Sequence, residues 1–264
     1  MSNILKFAQE LEVIKTPGFT KKRIGRNQDG GYIVLNEICE QTEVLYSYGV
    51  SDDWSFEEDF VNKYGCDARL FDHTVDPITS SNPKIHFKKQ GLGTEPSTDL
   101  DTLYNHMAEN NDLGKKSVLK MDIEWNEWDF FETTSSSFLN SFDQIICEFH
   151  IIPAEYNGSH TPYFTGFHKD VYDKFNEEIF GKYLKCIKNL KEYFSIYHLH
   201  VNNSLGVGMY QDCSIPYLLE VSLINNKFLS SDIESSQENF PIEGLDFPNK
   251  PYKPEIINFY PFIK

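Results

Sequence analysis

Ser117-Val118-Leu119-Lys120-Met121-Asp122-Ile123-Glu124-Trp125-Asn126-Glu127-Trp128 is an apolar run that breaks into acids. Residues 117–123 are predicted as a buried strand, and Trp125 to Thr133 as the helix that follows. A strand that ends in carboxylates and leads straight into a helix is the repeating unit of a parallel sheet.

The same unit recurs on both sides. Upstream, Val44–Val50 is a predicted strand, followed by a turn at Ser51–Trp54. Ser55-Phe56-Glu57-Glu58 reads as an S-x-x-E capping box opening a helix that ends near Gly65. Ala68–Asp72 and Ile85–Lys89 are two more strands, the second followed by Gly91-Leu92-Gly93. Leu100, Leu103, Tyr104 and Met107 mark a helix. Downstream, Gln144–His150 is a fifth strand. Residues 166–193 form a long helix, with Val171, Phe175, Ile179, Tyr183, Ile187 and Leu190 at helical spacing. Phe194–His200 and Pro216–Ile224 complete a set of seven strands. Strands alternating with helices predict an α/β fold with a mostly parallel sheet covered on both faces.

The flanks read differently. Residues 3–15 carry Ile4, Phe7, Ala8, Leu11 and Ile14 at helical spacing. Asp29-Gly30-Gly31 between short apolar stretches predicts the tight turn of a hairpin. Five of the twelve prolines fall within 241–264, which predicts an extended tail wrapped on the surface. The expected organisation is one domain over 1–264. Residues 1–40 form a helix-and-hairpin cap, 41–225 the core and 226–264 the tail.

Composition narrows the function. Hydrophobic residues make up 40% and aromatics 15% of 264 residues, enough for a packed core. The formal charge of −16 argues against nucleic acid as a partner. The basic cluster Lys21, Lys22, Arg23 and Arg26 reads as a solvated face. No apolar run reaches the length of a membrane span, and Met1–Lys6 has no signal-peptide pattern. Five widely spaced cysteines with no C-x-x-C suggest no thiolate zinc site. They point to a reducing, cytoplasmic setting. The sequence leaves the oligomeric state open.

In open α/β sheets, ligands bind beyond the carboxyl ends of the strands, where strand order reverses. The first core strand ends at Gly49-Val50-Ser51, and the second ends at Asp72. A glycine turn lets backbone approach a ligand, and an acid at the second strand end can accept from both ribose hydroxyls. The first turn lacks the G-x-G-x-x-G pattern of a dinucleotide site. Asp52, Asp53, Glu57 and Glu58 at the next helix start would repel phosphate. S-adenosylmethionine, with a ribose and a positive sulfonium, suits these residues. Alternation places Asp122 with Glu124, Glu148 with His150, and His198 with His200 on shared sides of their strands. Such groups offer a general base, a hard-metal site, or both. His73, His106, His160 and His168 read as surface or core histidines.

The chain resembles the FkbM-like S-adenosylmethionine-dependent methyltransferases, in the branch with an Asp-Gly-Gly-Tyr motif. The resemblance rests on Arg23–Tyr32, Tyr46–Val50 with Ser55-Phe56-Glu57, Phe71-Asp72, Leu119–Trp128 and Glu148-Phe149-His150. Trp125 stands where a small residue is usual. The resemblance implies a seven-stranded Rossmann-like methyltransferase sheet with an antiparallel last strand, and O-methyl transfer. Gly49, Val50 and Ser51 would contact the methionine part, Asp72 the ribose, and Gly91 and Leu92 the adenine. Asp29, Gly31 and Tyr32 would close over the cofactor, with Asp122 beside it. Asp122 and Glu148 stand where some related enzymes bind a metal such as Mg or Mn, with His150 as a third ligand or the base. The catalytic candidates are His150, Asp122, Glu124 and His200. The expected acceptor is a sugar or nucleotide sugar in surface-glycan biosynthesis, with residues 151–166 as a substrate lid. A non-sugar metabolite, a protein tail rich in Lys and Arg, a metal-dependent hydrolase and a non-catalytic binding module are the alternatives.

Overall fold

A computed structural model describes residues 1–78, 80–151, 169–210 and 213–257. The chain opens with a helix, α1 (Asn3–Glu10), and a hairpin of β1 (Lys21–Gly25) and β2 (Gly31–Leu35). A short α2 (Asn36–Cys39) leads into β3 (Val44–Tyr48), α3 (Ser55–Tyr64), β4 (Asp67–Phe71) and β5 (Ile85–Lys88). The small strands β6 (Gly91–Leu92) and β7 (Leu100–Asp101) precede α4 (Leu103–Glu109) and β8 (Ser117–Met121). Then come α5 (Glu127–Thr133), α6 (Ser136–Leu139), β9 (Phe142–His150) and the long α7 (Lys169–Lys191). The series ends with β10 (Phe194–Val201), β11 (Val207–Tyr210), β12 (Cys213–Pro216) and β13 (Leu218–Asn225).

Seven strands form one sheet in the order β10-β13-β9-β8-β3-β4-β5. Pairings from β9 through β8, β3 and β4 to β5 are parallel. β13 runs antiparallel to both of its neighbours. The chain proceeds from β3 outward to β4 and β5, then crosses back to β8 on the other side. The reversal point is therefore the gap between β3 and β8, where such sheets bind ligands. All seven core strands lie where the sequence places them. The mostly parallel α/β sheet is as expected.

Strand alternation divides the core. Val44, Tyr46 and Tyr48 of β3 join Leu119 and Met121 of β8 in the cluster that includes α1, α4 and α7 side chains. Leu45, Val118 and Ile146 face the other way, into the cluster of α3 and the hairpin. A strand buried on both faces reads as a continuous apolar run, as these do. No helix among the described residues is long and apolar enough to cross a membrane. Cys39, Cys66, Cys147 and Cys186 are free and buried.

Four local readings need correction. α1 stops at Glu10, because Val13 and Ile14 leave the helix; the Ile14 amide bonds the Ile196 carbonyl at 2.8 Å. Ser55 is not a cap. Asp53 Oδ1 accepts from the Ser55 amide at 3.0 Å, and Glu57 turns inward to accept from the Ser47 hydroxyl. Within the basic cluster, Arg23 is no solvated side chain. It donates to the carbonyls of Arg26 and Gln28, each at 2.7 Å, and so holds the hairpin loop in place. Finally, the tail enters the structure rather than draping over it. Asp246 and Asn249 are buried because their partners are the polar side chains His198 of β10 and Glu220 of β13, and Phe240 is buried edge-on against His198.

Candidate functional site

A cavity of about 540 Å³ opens at the carboxyl ends of β3, β4 and β8, at the reversal point. That size suits a drug-sized or cofactor-sized ligand. Its walls include Gly49, Asp72, Gly91, Leu92, Asp122 and Glu124, six of the sequence-predicted positions. Among the described residues the lining holds no lysine or arginine, but four carboxylates: Asp72, Asp122, Glu124 and Asp129. Such a wall disfavours phosphate and suits a cation.

Gly49 directly follows β3 with φ +73°, and a Cβ there would lie 1.5 Å from the Asp122 carbonyl oxygen. The chain past β3 therefore presses directly against the chain past β8. Asp72 is fixed by its own neighbourhood. Oδ2 accepts from the Ser51 amide at 2.9 Å, and Oδ1 from the Thr74 amide and hydroxyl at 2.8 and 2.7 Å. Burial opposes its charge, but the hydrogen bonds from Thr74 and Ser51 outweigh it and hold the carboxyl below the usual range. One lone pair remains on Oδ2, whereas Oδ1 already has two donors. Ser51 itself adopts φ +53° to present its amide.

The acids past β8 form a second constellation. Glu124 and Trp125 both take positive φ, +49° and +78°. The turn is tied at both ends. The Ile123 amide donates to Glu127 Oε1 at 2.9 Å, and Asn126 Nδ2 donates to the Ile123 carbonyl at 3.2 Å. His150, at the end of β9, is clamped between Glu127 (Nδ1, 3.1 Å) and Glu124 (Nε2, 3.3 Å). Burial opposes its charge, but these two carboxylates hold its pKa up at about 10. Asp122 is pushed up to about 6 by burial, against the pull of Lys120 and His150. Burial, then Asp122 and Glu220, push Glu148 well above the carboxylate range; its Oε2 accepts from Asn202 at 3.0 Å.

Asp122, Glu127 and His150 each bring a ligand atom within 4.8 Å of one another. Glu148 is not in that group. A metal takes a neutral imidazole. Here both ring nitrogens of His150 donate to carboxylates, so the residues fit an ion-pair clamp rather than a metal centre.

Other predicted residues lie elsewhere. Val50 is buried against α3, and Tyr32 packs edge-on against Phe56 with the Lys120 ammonium 5.4 Å from its ring. Gly31 opens β2 opposite Gly25. Asp29 pairs with Lys250 at 2.9 Å. His200 is enclosed between Glu220 (2.9 Å) and Glu255 (2.6 Å) and does not line the cavity. The predicted lid falls almost wholly outside the described residues, as do His160 and His168.

Several lining residues escaped the sequence reading. His73 and Thr74 directly follow Asp72. Asn126, Asp129, Phe130 and Thr133 lie at i, i+3, i+4 and i+7, one face of the segment that forms α5. That spacing was a usable signal. Glu127 belongs to the same segment but points inward, and nothing in its spacing marks it as the partner of His150.

No curated protein and no solved structure matches the chain. A family model described as a methyltransferase domain matches residues 13–190. That span covers α1's exit, the hairpin, the first five strands of the sheet and nearly all of α7, and includes every residue of the cavity wall. The chain belongs to this methyltransferase-domain family.

Proposed function

We propose that the protein is an S-adenosylmethionine-dependent O-methyltransferase of the FkbM-like type, acting on a hydroxyl of a sugar or nucleotide sugar. Family membership supports S-adenosylmethionine-dependent methylation in general. The observation that carries the reading is the acid-walled cavity at the β3/β8 reversal point, with Asp72 at the end of β4. Its residues fit the cofactor. Asp72 Oδ2 keeps a lone pair for one ribose hydroxyl, and the acidic wall tolerates a sulfonium. When bound, the cofactor supplies an electrophilic methyl group.

The chain's own residues then have two tasks. Asp122 lies in the cavity wall, ionised at neutral pH yet more basic than an ordinary aspartate because it is buried. It would take the acceptor's hydroxyl proton as the oxygen–carbon bond forms and the carbon–sulfur bond breaks. A positioned base of this kind contributes roughly 10²–10⁴-fold. His150, held charged, cannot accept that proton. It fixes Glu124 and stabilises the Asp122 carboxylate. Glu124 supplies a carboxylate in the cavity wall that recognises a neighbouring hydroxyl, whereas Glu148 and Asn202 are buried, bonded to each other and outside that wall. No step runs through a metal. A place in surface-glycan biosynthesis, in the cytoplasm, is consistent with a hydroxyl-rich acceptor.

The test is calorimetric titration with S-adenosylhomocysteine, then a screen for its formation with methyl glycosides, hexose nucleotides and catechols as acceptors. Micromolar binding with turnover on a sugar supports the reading. Absence of binding would sink it and favour the hydrolase alternative.

A further inference from the structure

Trp125 is expensive to place and goes unused by everything described so far. Its φ of +78° lies in the left-handed region, which glycine takes freely and bulky residues rarely adopt. Glu124 before it is left-handed as well. The indole gains little burial in return, being 40% exposed, whereas Trp128 three residues later is buried in the core. An outlier held this firmly, by hydrogen bonds on both sides of the turn, invites a functional reading.

The ring is not loose. Its centroid lies 4.9 Å from the His150 imidazole, at an interplanar angle of 56°. His150 is itself locked by Glu124 and Glu127. The tilted ring contact with a locked His150 therefore orients the aromatic surface before any ligand arrives. Glu124 and Asn126 flank Trp125 in sequence and line the cavity; the ring leans toward His150. Trp125 itself stands outside the wall, beside His150 and next to the edge of the cavity formed by Glu124 and Asn126.

We propose that Trp125 is the stacking platform for the acceptor, and that its ligand is a pyranose ring. A pyranose presents an apolar C–H face to the indole and a rim of hydroxyls to Glu124, Asn126 and the carboxylates below. A flat aromatic acceptor would use the indole but leave those polar groups unmatched. This inference rests on the sugar O-methyltransferase reading and adds to it a specificity-determining residue.

The experiment compares wild type with Trp125→Gly and Trp125→Phe, using the methyl hexopyranosides and hexose nucleotides of the acceptor screen. Glycine adopts this φ without strain, so Trp125→Gly is expected to stay folded, as thermal unfolding would show. Its affinity for S-adenosylhomocysteine should be unchanged. Its KM for the sugar should rise about tenfold, the factor matching the upper range of aromatic stacking, with kcat little altered. Trp125→Phe should recover most of the loss. Wild-type tryptophan fluorescence should change on titration with the sugar acceptor, and that change should vanish in Trp125→Gly. An unchanged KM in Trp125→Gly, or a sugar-dependent fluorescence change that persists in it, overturns the proposal. Failure of the underlying reading shows earlier and separately, as wild-type protein that turns over no sugar at all.

Discussion

The two halves of the sheet carry the same kinds of residue at their strand ends and treat them oppositely. Past β3, β4 and β8, the acids Asp72, Asp122 and Glu124 stand in the wall of an open cavity. Near the end of β10 and the start of β13, His198, His200 and Glu220 are closed over by the tail. His198 Nε2 donates to Asp246 at 2.8 Å, and Glu220 accepts from Asn249 at 2.7 Å. Two histidines on one face of one strand even differ in charge. Burial lowers His198, which has a single carboxylate partner, whereas Glu220 and Glu255 together hold His200 at about 10 despite its burial. The difference teaches that a strand-end acid or histidine is a site only where no other segment completes its hydrogen bonds.

The sharpest way to break this comparison is at the glycine that lets the two sides of the cavity meet. Gly49→Ala would place a Cβ 1.5 Å from a backbone oxygen, at positive φ, with no flexible side chain to give way. The expected cost exceeds about 4 kcal/mol, the range kept for severe core overpacking and strain. Folded protein should be lost, read by thermal unfolding. Gly65 has a similar φ of +72°, but a methyl group added there would meet nothing within 4 Å, so Gly65→Ala should cost only about 1 kcal/mol.

Next in size is the closed side. His200→Gln leaves the buried Glu220 and the half-buried Glu255 without their cation, which should destabilise the fold by about 3 kcal/mol. Affinity for S-adenosylhomocysteine should not change, since His200 is outside the cavity. The pH dependence has a definite sign. The folded pKa of about 10 lies above the ordinary 6.5. The stabilisation is therefore complete below the ordinary value and is lost as pH rises through about 10. The melting-temperature gap between wild type and variant should shrink from pH 7 to pH 10. A gap that widens would mean that His200 is neutral in the folded protein.

The sheet was legible because its signals are local. Val44–Tyr48, Ser117–Met121 and Phe142–His150 are apolar runs bounded by turns, and burial on both faces leaves that pattern unambiguous. Gly49, Asp72 and Asp122 were legible because the reversal-point rule needs only the strand ends. What closes over them was not. Asp246 lies 48 positions from His198, Glu255 lies 55 from His200 and Asn249 lies 29 from Glu220, and no periodicity links them. His200 therefore looked as available as Asp122. Glu127 was hidden for a similar reason, since an acid on a helix is ordinarily solvated.

On the open side, Asp122→Asn removes the proposed base while keeping shape. The expected loss is about 10²–10⁴ in kcat. Affinity for S-adenosylhomocysteine should stay close to wild type. Because a base must be ionised, wild-type kcat/KM should fall as pH drops below about 6, the value to which burial raises Asp122. A profile flat from pH 5 to 8 would remove Asp122 from that role.

Asp72→Asn is the mildest change and bears most directly on the comparison. An amide keeps the volume and one acceptor oxygen. Its NH₂ must then face either the Ser51 amide or the Thr74 amide and hydroxyl, all of which are donors. The lone pair left for a ribose hydroxyl also loses its charge, and a charged acceptor makes bonds about twice as strong as a neutral one. The expected outcome is about tenfold weaker binding of S-adenosylhomocysteine by calorimetry, equivalent to ~1.4 kcal/mol. Asp246→Asn is the matched control. It also weakens a buried carboxylate, but on the closed side, and should lower thermal stability without moving that affinity. Equal losses of affinity in both variants would show that the two halves of the sheet are not separate, and that the tail helps to shape the cavity.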